Sequence, residues 1–422
     1  MTKDPFAGLE SCVHCGFCLQ SCPTYRESLT EGDSPRGRIV LLRGISEGVV
    51  STGEERLAAH LNRCLGCRAC EPVCPSGVEY GRALEAARAK LAEHTPPPLI
   101  ARLLNATMGN SLVRRPFLFA ARLARPVARM FAGKSSLGFL FGMLAATRPW
   151  SLGGRQVEPG LTDAVDNAPQ NPPRERSRSV TVFEGCVMSG LFSHVHAATR
   201  RTLEVNGYEL TDISGQECCG ALHAHAGQHD KALELARKNV LAFAEFPDTL
   251  IAVDSAGCGA MLKDYGDLLE GDPLHEAAID VSSRVRDVSE LLADRGPRSG
   301  SAVKLRVVYD PPCHLKHAQG ISDPPLALLD AVPGLEYVQH GDGDMCCGSA
   351  GSYSFTQSEL SRAVLGRKID SLLSSSPDIV ATGNPGCVMQ IGAGLLAEGS
   401  SIAAVHPVEI LDMAYARAGY YD

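Results

Sequence analysis

Two runs of cysteine restrict this chain more than any other feature. Residues 12–23 read CVHCGFCLQSCP, and residues 64–75 read CLGCRACEPVCP. Cys12, Cys15, Cys18 and Cys22 are separated by two, two and three residues, with Pro23 behind them. Cys64, Cys67, Cys70 and Cys74 repeat the spacing before Pro75. Whatever the fold, it must present eight thiols on two short, turn-rich loops.

Three readings compete for such runs. A disulfide framework suits small secreted chains, but this chain has 422 residues and opens with MTKDPFAGLE, where no apolar signal segment is seen. Zinc ribbons use C-x2-C pairs separated by a long gap. The compact run C-x2-C-x2-C-x3-C-P instead matches the bacterial ferredoxin signature for [4Fe–4S] clusters. Cubane iron is soft and takes four thiolates, and the proline turns the chain away with a fixed φ. In two-cluster ferredoxins the fourth cysteine of each run ligates the other cluster. Cys12, Cys15, Cys18 and Cys74 are therefore expected to hold one cluster, and Cys22, Cys64, Cys67 and Cys70 the second.

Bulk properties narrow the function classes. A net charge of −8 argues against nucleic acid as a partner. Sixteen cysteines without an export signal point to a reducing cytoplasm and metal chemistry. No run of 18 or more apolar residues marks a membrane span.

Residues 1–94 are read as an α-helical cluster-binding domain. Between its two runs, Ser34 is placed to cap a helix with Pro35 at its first position, and Ile39, Leu41, Leu42 and Ile45 give that helix an apolar face. Arg36 and Arg38 suit either an anionic neighbour or a solvated helix start. His14 is read as a loop residue and not as a ligand. A helix starting near Glu54 delivers Cys64.

Residues 95–178 are read as a basic helical segment and linker. No Asp or Glu occurs from Pro96 to Val157, while Arg102, Arg114, Arg115, Arg122, Arg125, Arg129, Lys134, Arg148 and Arg155 are interleaved with Leu, Phe and Met. This basic amphipathic pattern fits contact with an anionic membrane face or an acidic partner; packing on the protein's own domains is the competing reading. VDNAPQNPPRERSRS reads as the linker.

Residues 179–300 and 301–422 read as an internal repeat of α/β type. SVTVFEGC and LRVVYDPPC each end a strand at a cysteine, Cys186 or Cys313. Each unit then carries Cys-Cys-Gly, at Cys218 and Cys219 or at Cys346 and Cys347, and a later strand followed by Cys258 or Cys387. In parallel sheets, residues after strand C-termini gather at one edge. Cys186, Cys218, Cys219 and Cys258 are expected to meet, as are Cys313, Cys346, Cys347 and Cys387. These sets are candidates for a third iron–sulfur cluster, zinc, or redox-active thiols, against buried and inert cysteine. Gly220 and Gly348 allow positive φ or close backbone approach.

The combination of two ferredoxin runs, an SPRGR segment between them and two Cys-Cys-Gly units resembles the glycolate oxidase iron–sulfur subunit family. Related groups include subunits of anaerobic glycerol-3-phosphate dehydrogenase, lactate-utilisation proteins and heterodisulfide reductases. The resemblance implies a multidomain α+β and α/β chain: a two-[4Fe–4S] domain, then tandem cysteine-rich domains. It implies a flavoprotein partner that oxidises glycolate to glyoxylate, with this chain passing the electrons towards a membrane quinone from a peripheral position on the cytoplasmic membrane face. No G-x-G-x-x-G follows a strand, so the flavin is expected elsewhere. A D-lactate or glycerol-3-phosphate dehydrogenase subunit, a thiol–disulfide reductase and a docking scaffold are the alternatives. The second C-x2-C cysteine of the heterodisulfide reductase units is replaced here by Met261 and Gln390. His223, His225 and His314 lie near the motifs as substitute ligands or as ordinary polar residues.

Overall fold

A computed structural model describes residues 4–151 and 178–421. Arg155 and the linker up to residue 177 lie outside the described residues, while the linker's last two residues, Arg178 and Ser179, begin a strand. Around the two cysteine runs, four helices span Pro23–Ser28, Pro35–Ser46, Glu55–Asn62 and Tyr80–His94. Ser34 caps the second of these: its hydroxyl accepts from the Gly37 N–H at 2.9 Å, with Pro35 at the first position. Gly37 is required, because a Cβ there would lie 2.0 Å from the Glu31 carbonyl oxygen. Leu9, Leu42, Leu61 and Leu84 form the core of this module.

The acid-free segment forms helices Leu99–Met108, Ser111–Phe131 and Ser136–Ala145. One side of it packs on the protein itself. Arg114, Leu118, Arg125 and Ala128 form a buried stripe at helical spacing. The Arg114 guanidinium donates to the Met108 carbonyl at 2.8 Å and pairs with Glu217 at 3.3 Å. Arg125 donates to the Leu191 carbonyl. Gly142 lets the last helix close on helix Pro385–Ala397, where a Cβ would sit 3.2 Å from that of Ala393. The other side is exposed: Leu112, Phe119, Leu123, Val127 and Met130 stand beside Arg115, Arg122 and Arg129.

Two parallel four-stranded sheets follow. Strands β1 (Arg178–Val182), β2 (Tyr208–Leu210), β3 (Leu250–Val253) and β4 (Val285–Asp287) lie in the order β2-β1-β3-β4. Strands β5 (Leu305–Tyr309), β6 (Leu335–Val338), β7 (Ile379–Ala381) and β8 (Ala403–Val405) repeat it as β6-β5-β7-β8. The expected repeat is thus present, with a fourth short strand in each copy. The copies pack on one another through helices Ser193–Val205 and Pro407–Arg417. Arg201 makes a two-pronged ion pair with Asp412 at 2.9 and 2.7 Å, and Asn206 donates to the Tyr415 hydroxyl at 3.0 Å. A continuous apolar core, including Val180, Leu203, Val307 and Leu411, joins them.

Candidate functional site

The two cysteine loops share a backbone device. His14 and Gly16 have φ of 55° and 86°; Gly66 and Arg68, at the same offsets from Cys64, have φ of 65° and 58°. Left-handed residues at the second and fourth positions after the first cysteine curl each loop, so that successive thiols face inward. His14 holds a bend, and its carbonyl accepts from Arg36 at 3.2 Å.

Two adjacent cavities result. Cys12, Cys15, Cys18, Cys70 and Cys74 line one, and Cys22, Cys64, Cys67 and Cys70 line the other. Cys74 therefore stands with the first run and Cys22 with the second, while Cys70 borders both. The second cavity is buried and electropositive. Arg38, 1% exposed, reaches to 3.9 Å from Cys22 Sγ, donates to Thr24 Oγ1 at 3.1 Å and lies 3.6 Å from the buried Asp33 carboxylate. Arg88 donates to the Cys64 and Leu61 carbonyls at 2.6 and 3.0 Å. Burial pushes the thiols of Cys67 and Cys70 up. It would do the same to Cys64, but the Arg38 and Arg88 charges hold that thiol below its usual range. The Gly66 N–H points at Cys64 Sγ from 3.4 Å. Thiols set around a void, with fixed cations and an amide N–H aimed at sulfur, fit an anionic iron–sulfur cluster.

The second cavity adjoins the repeats. Leu65 and Cys67 share a buried cluster with Cys346 and Tyr353, and Cys313 packs against it. The Tyr353 hydroxyl donates to the Arg63 carbonyl at 2.8 Å, tying the two parts together.

In the repeats the cysteines stand beyond the C-terminal ends of the strands and form close pairs. Sulfur–sulfur distances are 3.5 Å for Cys186–Cys218, 3.4 Å for Cys219–Cys258, 3.8 Å for Cys313–Cys346 and 3.3 Å for Cys347–Cys387. Gly220 and Gly348 take φ of 90° and 83°, and a Cβ on Gly348 would lie 2.6 Å from the Ser361 carbonyl oxygen. All eight thiols line one cavity of ≈ 420 Å³. Met261 is buried in the first repeat's core, and Gln390 donates to Ser361 Oγ at 2.9 Å, so both serve packing. His223 is buried beside Gly109. His225 bonds Glu85 at 3.0 Å, and His314 Nδ1 lies 3.6 Å from Cys313 Sγ.

Sequence reasoning did not single out two buried charged groups at the sheet edges. His196 bonds Asp254 at 2.7 Å, and Lys368 pairs with Asp310. Asp254 and Asp310 each follow a strand directly, as catalytic and structural carboxylates alike do, so the pattern alone does not separate them.

Residues 8–78 match the 4Fe-4S dicluster domain family, and residues 180–263 and 307–392 match the Cysteine-rich domain family. The chain is 34% identical over 416 residues to the "Probable glycolate oxidase iron-sulfur subunit" of Bacillus subtilis, covering 96% of this chain and 93% of that one. It is 33% identical to the glycolate oxidase iron–sulfur subunit of Escherichia coli, over 96% and 94% of the two chains. It is 29% identical to a fumarate reductase (CoM/CoB) subunit of Methanothermobacter marburgensis, over 96% and 72%. These matches, with the thiol-lined cavities, make this an iron–sulfur electron-transfer protein. The chain belongs to the family of glycolate oxidase iron–sulfur subunits.

Proposed function

We propose that this chain takes electrons from a flavoprotein subunit that oxidises glycolate to glyoxylate and passes them towards a membrane quinone. Cys12, Cys15, Cys18 and Cys74 would hold one [4Fe–4S] cluster, and Cys22, Cys64, Cys67 and Cys70 the other. Clusters there would supply one-electron carriers; the protein's own residues supply thiolates, fixed charge and exclusion of water. The observation that carries the reading is the burial of Cys67 with Cys346 and against Cys313. It gives a continuous route from the ferredoxin-like cavities to the repeat thiols, which would form a further redox site, whether a third cluster or paired thiols.

Among the described residues no helix is long and apolar enough to cross a membrane. The exposed apolar and basic face of Leu99–Phe131 suits an anionic lipid surface: its arginines complement lipid charge and its Leu, Phe and Met enter the headgroup boundary. That would place the complex peripherally on the cytoplasmic face.

The test is anaerobic addition of glycolate to the chain co-purified with its partner subunits. Bleaching of the cluster absorption by glycolate, ahead of D-lactate and glycerol-3-phosphate, is expected. Faster bleaching by either of the others reassigns the substrate. Steady reduction of small disulfides by the isolated chain would favour the thiol–disulfide reductase.

A further inference from the structure

The cavity shared by the repeats has a composition that selects its ligand. Its walls come largely from apolar side chains, among them Leu118 and Met143 of the acid-free segment and Met389 of the second repeat. Among the described residues no Asp, Glu, Lys or Arg lines it; apart from the thiols, its titratable groups are His225 and His314. A carboxylate substrate such as a 2-hydroxy acid would find no cation there, and a charged disulfide would fare no better. The volume of ≈ 420 Å³ falls within the range of small-molecule sites. Phe117 and Leu140 line the cavity and are themselves 53% and 44% exposed, so its mouth is apolar. The cavity therefore suits an uncharged, ring-sized ligand delivered from an apolar phase.

The two histidines form a partition. They also line a second, smaller pocket on the far side, with Arg68, Glu85, Arg88 and Asp264 around it. The rings of His225 and His314 are 5.5 Å apart between centroids. His225 Nδ1 bonds Glu85 at 3.0 Å, and the Glu85 side chain is 40% exposed, in reach of water. His314 opens a π-helical turn, His314–Ala318, directly after Cys313. Local π geometry of this kind is frequent at functional sites. An apolar chamber beside the repeat thiols is thus separated from a polar pocket by two imidazoles.

We propose that this cavity binds the ring of a quinone, and that His225 hands it protons drawn from the polar pocket. The inference rests on the electron-transfer reading above and adds where and how the electrons leave. The quinone takes two electrons, one at a time, from the iron–sulfur chain. Each carbonyl oxygen gains one proton in turn as the His225 N–H bond breaks and an O–H bond forms. Glu85 and water restore the imidazole protons, and the neutral quinol leaves by the apolar mouth.

Menadione is the probe, first by equilibrium dialysis against the full chain and then by turnover of the full complex. Saturable binding at one site per chain is expected. Ala121→Trp and Met389→Trp, which fill the cavity from opposite walls, should each weaken it tenfold or more while keeping the cluster absorption. His225→Gln should bind menadione with unchanged KM and lose at least tenfold in kcat relative to its rate with ferricyanide, an acceptor that takes no proton. Its solvent isotope effect should rise. Absence of saturable binding, or binding indifferent to both tryptophans, overturns the site. An unchanged menadione-to-ferricyanide ratio in His225→Gln overturns the proton role. If menadione binds as expected but no hydroxy acid reduces the complex, the cavity assignment stands and the glycolate reading fails.

Discussion

The guanidinium of Arg38 lies 3.9 Å from the sulfur of Cys22, and both side chains are buried. A cation held there favours the more negative, reduced state of a cluster bound through Cys22. Arg38→Met should lower the midpoint potential of that cluster and leave its neighbour nearly unmoved, with Arg38→Lys recovering part of the shift. It should also destabilise the fold by about 3 kcal/mol, because the buried Asp33 keeps only the part-exposed His60 and Arg63 as charged partners. Redox titration followed by EPR reads the first effect and chemical unfolding the second. Equal shifts in both clusters would mean that Arg38 acts at long range only.

Cys74 lines the cavity of the first run although it belongs to the second. Cys74→Ser should therefore damage the cluster built on Cys12, Cys15 and Cys18 and spare the other. EPR of the reduced protein distinguishes the two centres. Selective loss of the Cys22, Cys64, Cys67 and Cys70 cluster would refute the crossed ligand sets.

On the amphipathic helix the arginines divide by helical phase. Arg114 and Arg125 are buried against the protein, whereas Arg115, Arg122 and Arg129 are exposed. Replacing the exposed three with Gln should weaken attachment to anionic vesicles by about 3 kcal/mol, on the order of 100-fold, at about 1 kcal/mol per charge. High salt should have the same effect on the unaltered protein. Arg125→Gln should destabilise the fold instead. Sedimentation with vesicles of mixed neutral and anionic lipid is the measurement, and binding that ignores both charge and salt would leave the face without a membrane role.

His196 gives stability a pH signature. Burial alone would lower its pKa, but the Asp254 carboxylate at 2.7 Å and the Glu184 carbonyl outweigh it and raise the imidazole from 6.5 to about 9. A folded-state pKa above the unfolded one means the contribution is complete below pH 6.5 and is lost as pH rises through about 9. The unfolding midpoint should fall across that window, and His196→Gln should flatten part of the fall. An unchanged slope in the variant would show that other groups carry it.

The eight cysteines of the first 75 residues were legible because their spacing is itself the structure: short loops admit few ways of aiming four thiols. The Ser34 cap and the strand–cysteine pairs were legible for the same reason, since each depends on neighbours in sequence. Strands β4 and β8 were not, because three residues are too few to show a period and, unlike β7, neither has a cysteine behind it to mark its end. Nor does composition tell Arg114 from Arg115; only the phase of the helix against Leu118 and Ala128 does. That both sets of repeat thiols open on one chamber depends on Arg201 meeting Asp412 and Asn206 meeting Tyr415, pairings across more than 200 positions that no local pattern encodes.

Gly142 and Gly392 bring helix Ser136–Ala145 and its C-terminal neighbour Ala146 against helix Pro385–Ala397 so closely that a methyl on Gly392 would lie 2.5 Å from the Ala146 Cβ. The helix bearing Leu140 at the mouth is thus locked to the helix bearing Cys387. Whatever surface that outer face lands on, the molecule inherits a fixed heading from it, with the thiols held at a constant depth behind the point of touch.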